Sequence, residues 1–488
     1  MSSFVANVVK LSIGTIIAQV LGILVAPILT RLFDPEAFGL LGLFTSISSI
    51  IGAIACLRYD LAIMLPEQDQ GAVNLFAGSL LSAVFISSLS SLLIWVGGQY
   101  ILNLLNASQL IGMIWYVPLM VFLIGTFSAA SYWNTRTENF GRLSFVKIIN
   151  SFISNFAKLA MGLGGHVSGG ILIFATLLAQ FISNLFLFSK IFIFDRKFFL
   201  KHIQLREIFN VFYRYRRFPK YAVWSGILVD LSLKLPIFII AYFFSARELG
   251  LFVFVQTIVR VPFNLLGESI SKVFFQRAAT IRENRENLSQ WIETVFYFLT
   301  SFFMLPALIL SILGEDMFNF IFGSNWSEAG IYAQILAFSI LVEFITAPLG
   351  SLFNVLEKQK EALQFNILLM ALRLSALIAG GVTGNIFVLI SIFVIADMIA
   401  RSAKFTYIFR QSHFKIARAT GIILKAFALA VPFIFCLIFF KFILNFGALV
   451  NIWLAVLMIM INYFLLMHRN DLIKAIFNNH SQNTLETY

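Results

Sequence analysis

Long apolar segments, separated by short polar connectors, recur along the whole chain. A helix needs about 20 apolar residues to cross a bilayer, and segments of this length predict membrane-spanning helices. We therefore predict an all-α integral membrane protein with about 14 transmembrane helices, with about 12 or 13 as alternatives. The predicted spans are residues 8–30, 37–57, 72–97, 111–133, 145–164, 169–192, 221–244, 249–271, 291–313, 329–353, 363–382, 385–405, 420–444 and 449–467.

The composition supports a surface that faces lipid. Hydrophobic residues make up 60% of the 488 residues and charged residues 12%, against about 45–50% and about 25% in soluble proteins. The two cysteines, Cys56 and Cys436, lie in apolar runs, and the five histidines are scattered without ligand spacing. These counts exclude a disulfide scaffold and a cysteine-rich metal site, and we predict no metal or other bound cofactor.

The connectors on the two sides of the predicted membrane differ in charge. With the N-terminus inside, the outside connectors hold Arg31, Arg247 and Lys441 and no other Lys or Arg, whereas the inside connectors hold many. This asymmetry predicts that both termini are cytoplasmic, and it explains the net charge of +12 without a nucleic-acid partner. The opening residues lack a small-residue cleavage site, so we expect a retained first span.

The most basic connector covers residues 194–220, where aromatic and aliphatic residues alternate with Lys and Arg. This pattern is typical of an amphipathic helix in the inner membrane interface. Two interpretations stay open at this point. The segment is either an ordinary basic connector that obeys the positive-inside rule, or a site that recognises anionic lipid head groups.

Two sequence matches indicate an internal repeat. Residues 33–40 match residues 244–251 in Phe, Gly and Leu at an offset of 211, and residues 131–145 match 351–365 in Ser, Asn, Leu and Phe at an offset of 220. The matches pair spans one to six with spans seven to twelve, and so predict two six-helix lobes related by a pseudo-two-fold axis along the membrane normal, with a cleft between them. The predicted domains are an N-terminal lobe, a basic linker, a C-terminal lobe and an additional helix pair with a short tail: residues 1–193, 194–220, 221–418 and 419–488.

Ionisable side chains occur deep inside several predicted spans. Such a group costs at least about 2.5–3.5 kcal/mol at the bilayer centre, so it should face protein or water. We predict that a substrate cavity is lined by these residues: Arg260, Arg373, Lys158, Lys234, Gln256 and Asn264. Arg260 is four residues from both Gln256 and Asn264, which places the three on one helix face.

The acids in these spans have two interpretations. Asp230, Glu343 and Asp397 are either counter-ions or binding sites for a coupling proton or sodium ion. Asp230 and Lys234 are four residues apart and so are Asp397 and Arg401, a spacing that allows ion pairs. For Arg401, near the cytoplasmic side, a structural ion pair is the favoured interpretation. At mid-depth the cations outnumber the acids, and an arginine fork matches phosphate geometry, so the pattern favours an anionic substrate.

Three motifs resemble those of the O-antigen and polysaccharide flippases (Wzx type) of the multidrug/oligosaccharidyl-lipid/polysaccharide exporter superfamily. They are Leu-Thr-Arg-Leu-Phe-Asp-Pro-Glu-Ala-Phe-Gly at 29–39, Leu-Arg-Tyr-Asp-Leu-Ala-Ile-Met-Leu-Pro at 57–66, and Glu-Leu-Gly-Leu-Phe at 248–252. The resemblance covers roughly residues 1–420. Relatives such as the lipid II flippases have 14 spans, so the additional helix pair is compatible with it.

The resemblance implies a function. It implies transfer of an undecaprenyl-diphosphate-linked oligosaccharide from the cytoplasmic to the periplasmic leaflet of a bacterial inner membrane, by alternating access coupled to a proton or sodium gradient. It implies a cationic cavity, in which Arg260 is the position that best matches a cavity arginine. An O-antigen polymerase and a chain-length regulator are the candidate protein partners.

Other classes fit the sequence less well. A membrane-embedded polymerase or glycosyltransferase would need a sizeable extramembrane loop with catalytic residues, whereas the outside connectors are short and the inside ones are basic. No phosphate-binding Gly-rich loop, nucleophile elbow or His-Glu zinc motif is present, so we predict that the protein is not an enzyme. A lipid II-type flippase and a drug exporter of the same superfamily are the alternatives, although a cationic drug would require an acidic cleft.

Overall fold

The computed structural model describes residues 3–469, and all regular secondary structure in this range is helical. This confirms the predicted fold class. The α-helices are α1 (Ser3–Leu32), α2 (Pro35–Gly52), α3 (Tyr59–Ala62), α4 (Asp69–Leu104), α5 (Tyr116–Arg136), α6 (Phe140–Leu163), α7 (Gly169–Lys190), α8 (Arg196–His202), α9 (Leu205–Arg214), α10 (Val223–Phe243), α11 (Ala246–Val259), α12 (Val261–Thr280), α13 (Arg285–Phe322), α14 (Ser327–Thr346), α15 (Leu352–Val355), α16 (Gln359–Val382), α17 (Ile386–Gln411), α18 (Ile416–Ile438) and α19 (Ala448–Arg469).

Twelve helices within the described residues are long and apolar enough to cross a membrane. They account for all but two of the predicted spans. The predicted span 145–164 is helix α6, which carries Arg142, Lys147 and Lys158 and is therefore less apolar. The predicted span 249–271 is interrupted at Arg260, where α11 ends and α12 begins. Pro262 lies in the first turn of α12 and has no N–H to continue the hydrogen bonding of α11.

The chain divides into two compact units, Met1–Phe254 and Val255–Tyr488. In the first unit α1 packs on α6, α6 on α7, and α4 on α5. A buried cluster of Leu29, Phe33, Ala37 and Leu172 joins the end of α1 to α2 and α7. In the second unit α13 packs on α14, and α16 packs on α17.

The unit boundary lies after the predicted boundary between linker and C-terminal lobe, because α10 packs on α2. The predicted lobes are defined by the sequence repeat, whereas the compact units are defined by packing. The two divisions need not coincide, so the lobe boundaries stay a prediction. The predicted additional pair, α18 and α19, packs on α13, where the Tyr463 ring stacks on Phe302 at 4.2 Å. Residues 470–488 of the predicted tail lie outside the described residues.

The glycines that the first repeat match aligns lie against each other. A Cβ atom on Gly39 would collide with the carbonyl oxygen of Ala246, and one on Gly250 would collide with the carbonyl oxygen of Pro35. The offset of 211 that relates Gly39 to Gly250 also relates Pro35 to Ala246, so the contact is reciprocal. Reciprocal contacts between equivalent residues are the property of a two-fold axis. The start of α2 and the start of α11 thus cross with reciprocal contacts between residues that the first sequence match aligns.

Candidate substrate-binding site

A buried ion pair joins two helices of the second unit. Arg373 of α16 donates through Nε and Nη2 to one oxygen of Asp397 on α17, at 2.8 and 2.5 Å. Arg373 is 5% exposed and Asp397 2% exposed, and the guanidinium also lies 5.8 Å from the centre of the Phe393 ring. Because α16 and α17 pack directly against each other, the pair fixes their register. Both groups were predicted as functional residues, and the structure brings them together.

Asp397 holds a second arginine on its own helix. Its other oxygen accepts a hydrogen bond from Nε of Arg401 at 2.8 Å, one helical turn further along α17. The spacing of four residues predicts this pair, and the structure confirms it. Both oxygens of the buried Asp397 carboxylate are thus bonded to guanidinium groups.

The series of charges continues to a third helix and ends at Arg260. Nη2 of Arg401 lies 3.5 Å from Oε2 of Glu343 on α14, and the same oxygen accepts a hydrogen bond from Nη2 of Arg260 at 2.9 Å. Arg260 reaches Glu343 because α12 packs on the turn at Pro348–Ser351, which directly follows α14. We call this series, in the order Arg373, Asp397, Arg401, Glu343 and Arg260, the charge network.

The charge network is buried at one end and open at the other. The side chains of Arg373 and Asp397 are 6% and 3% exposed, those of Arg401 and Glu343 are 14% and 15% exposed, and that of Arg260 is 32% exposed. The three guanidinium groups outnumber the two carboxylates, so the network carries one net positive charge. At this more exposed end, Nε of Arg260 is buried and has no hydrogen-bond partner among the described residues. Arg260 is thus the most exposed cation of the charge network, and its bond to Glu343 fixes its orientation.

The other predicted cavity residues have different surroundings. Gln256 lies on α11 and is partly exposed, whereas the side chain of Asn264 lies outside the described residues. Lys158 and Lys234 lie on α6 and α10 of the first unit, both partly exposed. Asp230 also lies on α10, one helical turn before Lys234, and is partly exposed. The roles predicted for these residues stay predictions.

A second polar cluster in the first unit escaped the sequence analysis. Asp60 of α3 is buried and accepts a hydrogen bond from the Ser128 hydroxyl of α5 at 2.5 Å. Its other oxygen has no partner among the described residues, and the same holds for Nε of Arg58. Burial raises the pKa of the Asp60 carboxyl, although the Ser128 hydrogen bond and the Arg58 charge oppose this shift.

The backbone around this cluster is unusual. Leu57 and Arg58 have φ angles of 50° and 62°, in the left-handed region that residues other than glycine rarely adopt. The Arg58 guanidinium lies directly against Gly226 of α10, where a Cβ atom would collide with it. Arg58 and Asp60 both belong to the motif at residues 57–66 that carries the resemblance. The sequence signal that could have identified them is an Arg and an Asp close together in a connector between apolar helices.

Solved transporter structures share this fold. The lipid II flippase MurJ in an inward closed conformation superposes with a TM-score of 0.72 over 95% of this chain and 100% of that chain, at 12% identity. An inward-facing multidrug resistance MATE family transporter of the MOP superfamily gives 0.59 over 83% of this chain and 98% of that chain, at 16% identity. A MOP superfamily transporter from Pyrococcus furiosus gives 0.52 over 83% and 95%, at 14% identity. The chain is thus a multi-pass membrane protein with the fold of these transporters.

A family match narrows this class. The model of the polysaccharide biosynthesis protein family matches residues 28–331, which is more than half of the chain. The protein therefore belongs to this family, and the resemblance inferred from its motifs is confirmed. No curated protein sequence matches the chain.

Proposed function

We propose that the protein is a flippase for an undecaprenyl-diphosphate-linked oligosaccharide, such as an O-antigen or capsule repeat unit. It would move this lipid from the cytoplasmic to the periplasmic leaflet of a bacterial inner membrane by ion-coupled alternating access. Membership of the polysaccharide biosynthesis family supports the substrate class, and the transporter fold supports movement without bond chemistry. The observation that carries the proposal is the open, positively charged end of the charge network at Arg260.

Arg260 is the proposed diphosphate ligand. Its side chain is about one-third exposed, and Glu343 holds it through Nη2, so the guanidinium can donate charge-assisted hydrogen bonds to phosphate oxygens. Arg373 and Asp397 lie at the buried end and hold Arg401, which in turn holds Glu343. In this proposal Arg373 does not touch the substrate but positions Arg401 through its ion pair with Asp397. Lys158, Lys234, Gln256 and Asn264 remain candidates for contacts with the diphosphate and the sugars.

Glu343 offers a simple mechanism for ion coupling. In the structure its Oε2 atom accepts a hydrogen bond from Nη2 of Arg260, a donor that an arriving diphosphate would also use. Substrate and carboxylate therefore compete for one guanidinium. Binding of a proton or sodium ion to Glu343 would weaken its pair with Arg260 and favour substrate binding, and loss of that ion would favour substrate release. Asp397 and Asp230 are the further candidates for the coupling ion.

A drug exporter of the same superfamily is the competing function. An organic cation would need an exposed carboxylate, whereas both acids of the charge network are bonded to guanidinium groups and the most exposed member is a cation. The network therefore favours an anionic substrate.

The proposal can be tested with purified protein in vesicles that contain undecaprenyl-diphosphate-linked oligosaccharide on one leaflet. A membrane-impermeant reagent that oxidises sugars reports how much substrate has crossed. The native protein is expected to move the lipid, and Arg260→Ala is expected to slow this movement at least about a hundredfold, as loss of a charge-assisted bidentate contact does. Arg277→Ala is the matched control, because it removes an exposed cation from α12, the helix that begins directly after Arg260. Normal transfer by Arg260→Ala, at normal protein yield, would refute the assignment.

A further inference from the structure

The linker between α7 and α10 contains a surface that the proposed function does not use. It comprises α8, α9 and the turn that follows, residues 196–220, and it directly joins two candidate membrane-spanning segments. Both of its ends are therefore held at the bilayer. The structure shows how the linker is oriented, and this orientation determines what its outer surface can contact.

Side chains of the first unit fix the linker in place. The amide of Asn74 on α4 donates to the carbonyl oxygen of His202 at 3.0 Å and accepts a hydrogen bond from the backbone N–H of Gln204 at 3.0 Å. Tyr59 stacks on Phe212 at 4.3 Å and donates a hydrogen bond to its carbonyl oxygen at 3.3 Å. Phe199 lies against Trp133 with ring centres 4.7 Å apart. These contacts hold one face of α8 and α9 against α3, α4 and α5.

Helix α9 has apolar residues on a second face, which the protein does not cover. Ile208 and Val211 are buried towards α4, at 3% and 9% exposed. Leu205, Phe209 and Tyr213 are 71%, 69% and 70% exposed, and at about 100° per residue they fall within about 80° of arc. We call these three residues the apolar stripe. Large apolar side chains in a regular row need an apolar environment, because water disfavours them.

Cations surround the apolar stripe. Residues 196–220 contain one carboxylate, Glu207, and eight exposed cations: Arg196, Lys197, Lys201, Arg206, Arg214, Arg216, Arg217 and Lys220. Within the part of the chain that the structure describes, none of the eight forms an ion pair. The Arg216 guanidinium lies 4.5 Å from the centre of the Tyr213 ring, at the edge of the stripe. The segment therefore has a large excess of positive charge, and none of its eight cations is neutralised by a described ion pair.

We propose that residues 196–220 bind anionic phospholipids. The apolar stripe inserts among the acyl chains beside the protein, while Arg206, Arg216 and Arg217 donate hydrogen bonds to head-group phosphates. A helix that combines an apolar row with bordering cations is the recognised form of an interfacial lipid-binding helix. Attachment at both ends to membrane-spanning helices brings the stripe to the bilayer surface, and the clamps at Asn74 and Tyr59 set its rotation.

Insertion of the stripe can be measured in the full-length protein, reconstituted in nanodiscs. A nitroxide is attached at Phe209→Cys in a Cys436→Ser background, in which Cys56 is buried and protected from the label. Asn210→Cys, one residue further and exposed on the polar side of α9, is the matched control. The label at 209 is expected to be more accessible to oxygen than to a water-soluble nickel complex, and the label at 210 the reverse. Equal access of the nickel complex to both positions would overturn insertion.

Preference for anionic head groups is tested by the relative association of spin-labelled phosphatidylglycerol and phosphatidylcholine with the protein. The native protein should prefer phosphatidylglycerol. The triple variant Arg206→Gln/Arg216→Gln/Arg217→Gln should lower this preference by at least about fivefold, which is the effect of one cation near a charged surface. The control variant Arg285→Gln/Lys360→Gln/Lys415→Gln removes three exposed cations from other connectors and should keep the preference. The proposal is wrong if the two triple variants behave alike.

Discussion

Nη2 of Arg260 lies 2.9 Å from Oε2 of Glu343, and this carboxylate also receives Arg401 from its other side. Glu343 is therefore the only acid of the charge network that separates the open arginine from the buried ones. Removal of its charge would leave Arg401 bound to Asp397 while Arg260 loses its internal counter-ion. This arrangement gives the first prediction.

Glu343→Gln is expected to strengthen binding of undecaprenyl diphosphate by about tenfold, because the substrate no longer competes with a carboxylate for Arg260. The same variant should show a translocation rate that no longer responds to the ion gradient. Affinity is measured by the shift of the thermal midpoint with added lipid, and coupling by transport with and without a gradient. Unchanged affinity would show that Arg260 and the diphosphate do not meet.

Arg373→Ala is expected to destabilise the protein by about 3–5 kcal/mol, since it leaves the buried Asp397 carboxylate short of a partner. The double variant Arg373→Met/Asp397→Leu removes both charges and should recover most of this loss. Thermal unfolding in detergent provides the comparison. If the double variant is as unstable as the single one, shape rather than charge determines the effect of Arg373.

Gly39→Ala and Gly250→Ala are each expected to lower the thermal midpoint markedly, because a methyl group at either position collides with backbone of the other helix. Backbone cannot rotate away as the end of a side chain can. Gly22→Ala on α1 is the control, since nothing lies within 4 Å of its new methyl group. That control should be neutral or more stable by up to about 1 kcal/mol, the helix preference of Ala over Gly. Similar midpoints for all three variants would contradict the close contact.

Asp60→Asn is expected to raise the thermal midpoint at neutral pH. Burial raises the pKa of this carboxyl in the folded protein, so its charged form is disfavoured there relative to the unfolded chain. The penalty is present above the folded-state pKa and disappears below the unfolded value of about 3.9. The difference between variant and native midpoints should therefore shrink as the pH falls from 7.5 towards 4. A constant difference over this range would mean that the carboxyl does not titrate differently in the two states.

The helices are predictable from the sequence because lipid imposes one requirement on each span, a sufficient apolar length. The exception at Arg260 has a local cause that is visible in the sequence, Pro262 two residues later. What length cannot reveal is how α11 continues after the break, because the backbone can leave such a turn in several directions. This interruption is why the predicted single span 249–271 is two helices, α11 and α12, in the structure.

The members of the charge network are predictable one by one, but its connections are not. Asp397 and Arg401 share a helix, and their spacing of four residues is enough to predict their contact. The contact of Arg373 with Asp397 depends on the packing of α16 and α17, and the contact of Glu343 with Arg260 depends on a turn after α14. Such pairings are set by tertiary structure, so a list of charged residues does not reveal which cation remains open.

The reciprocal contact of Gly39 and Gly250 has an evolutionary consequence. The two glycines descend from one position if the repeat arose by duplication, and each now restricts the other through the backbone four residues before it. A larger side chain in either copy would have to be accommodated by its own duplicate. The two halves of the gene are therefore free to diverge in their helices and charges, but they must change together at this crossing.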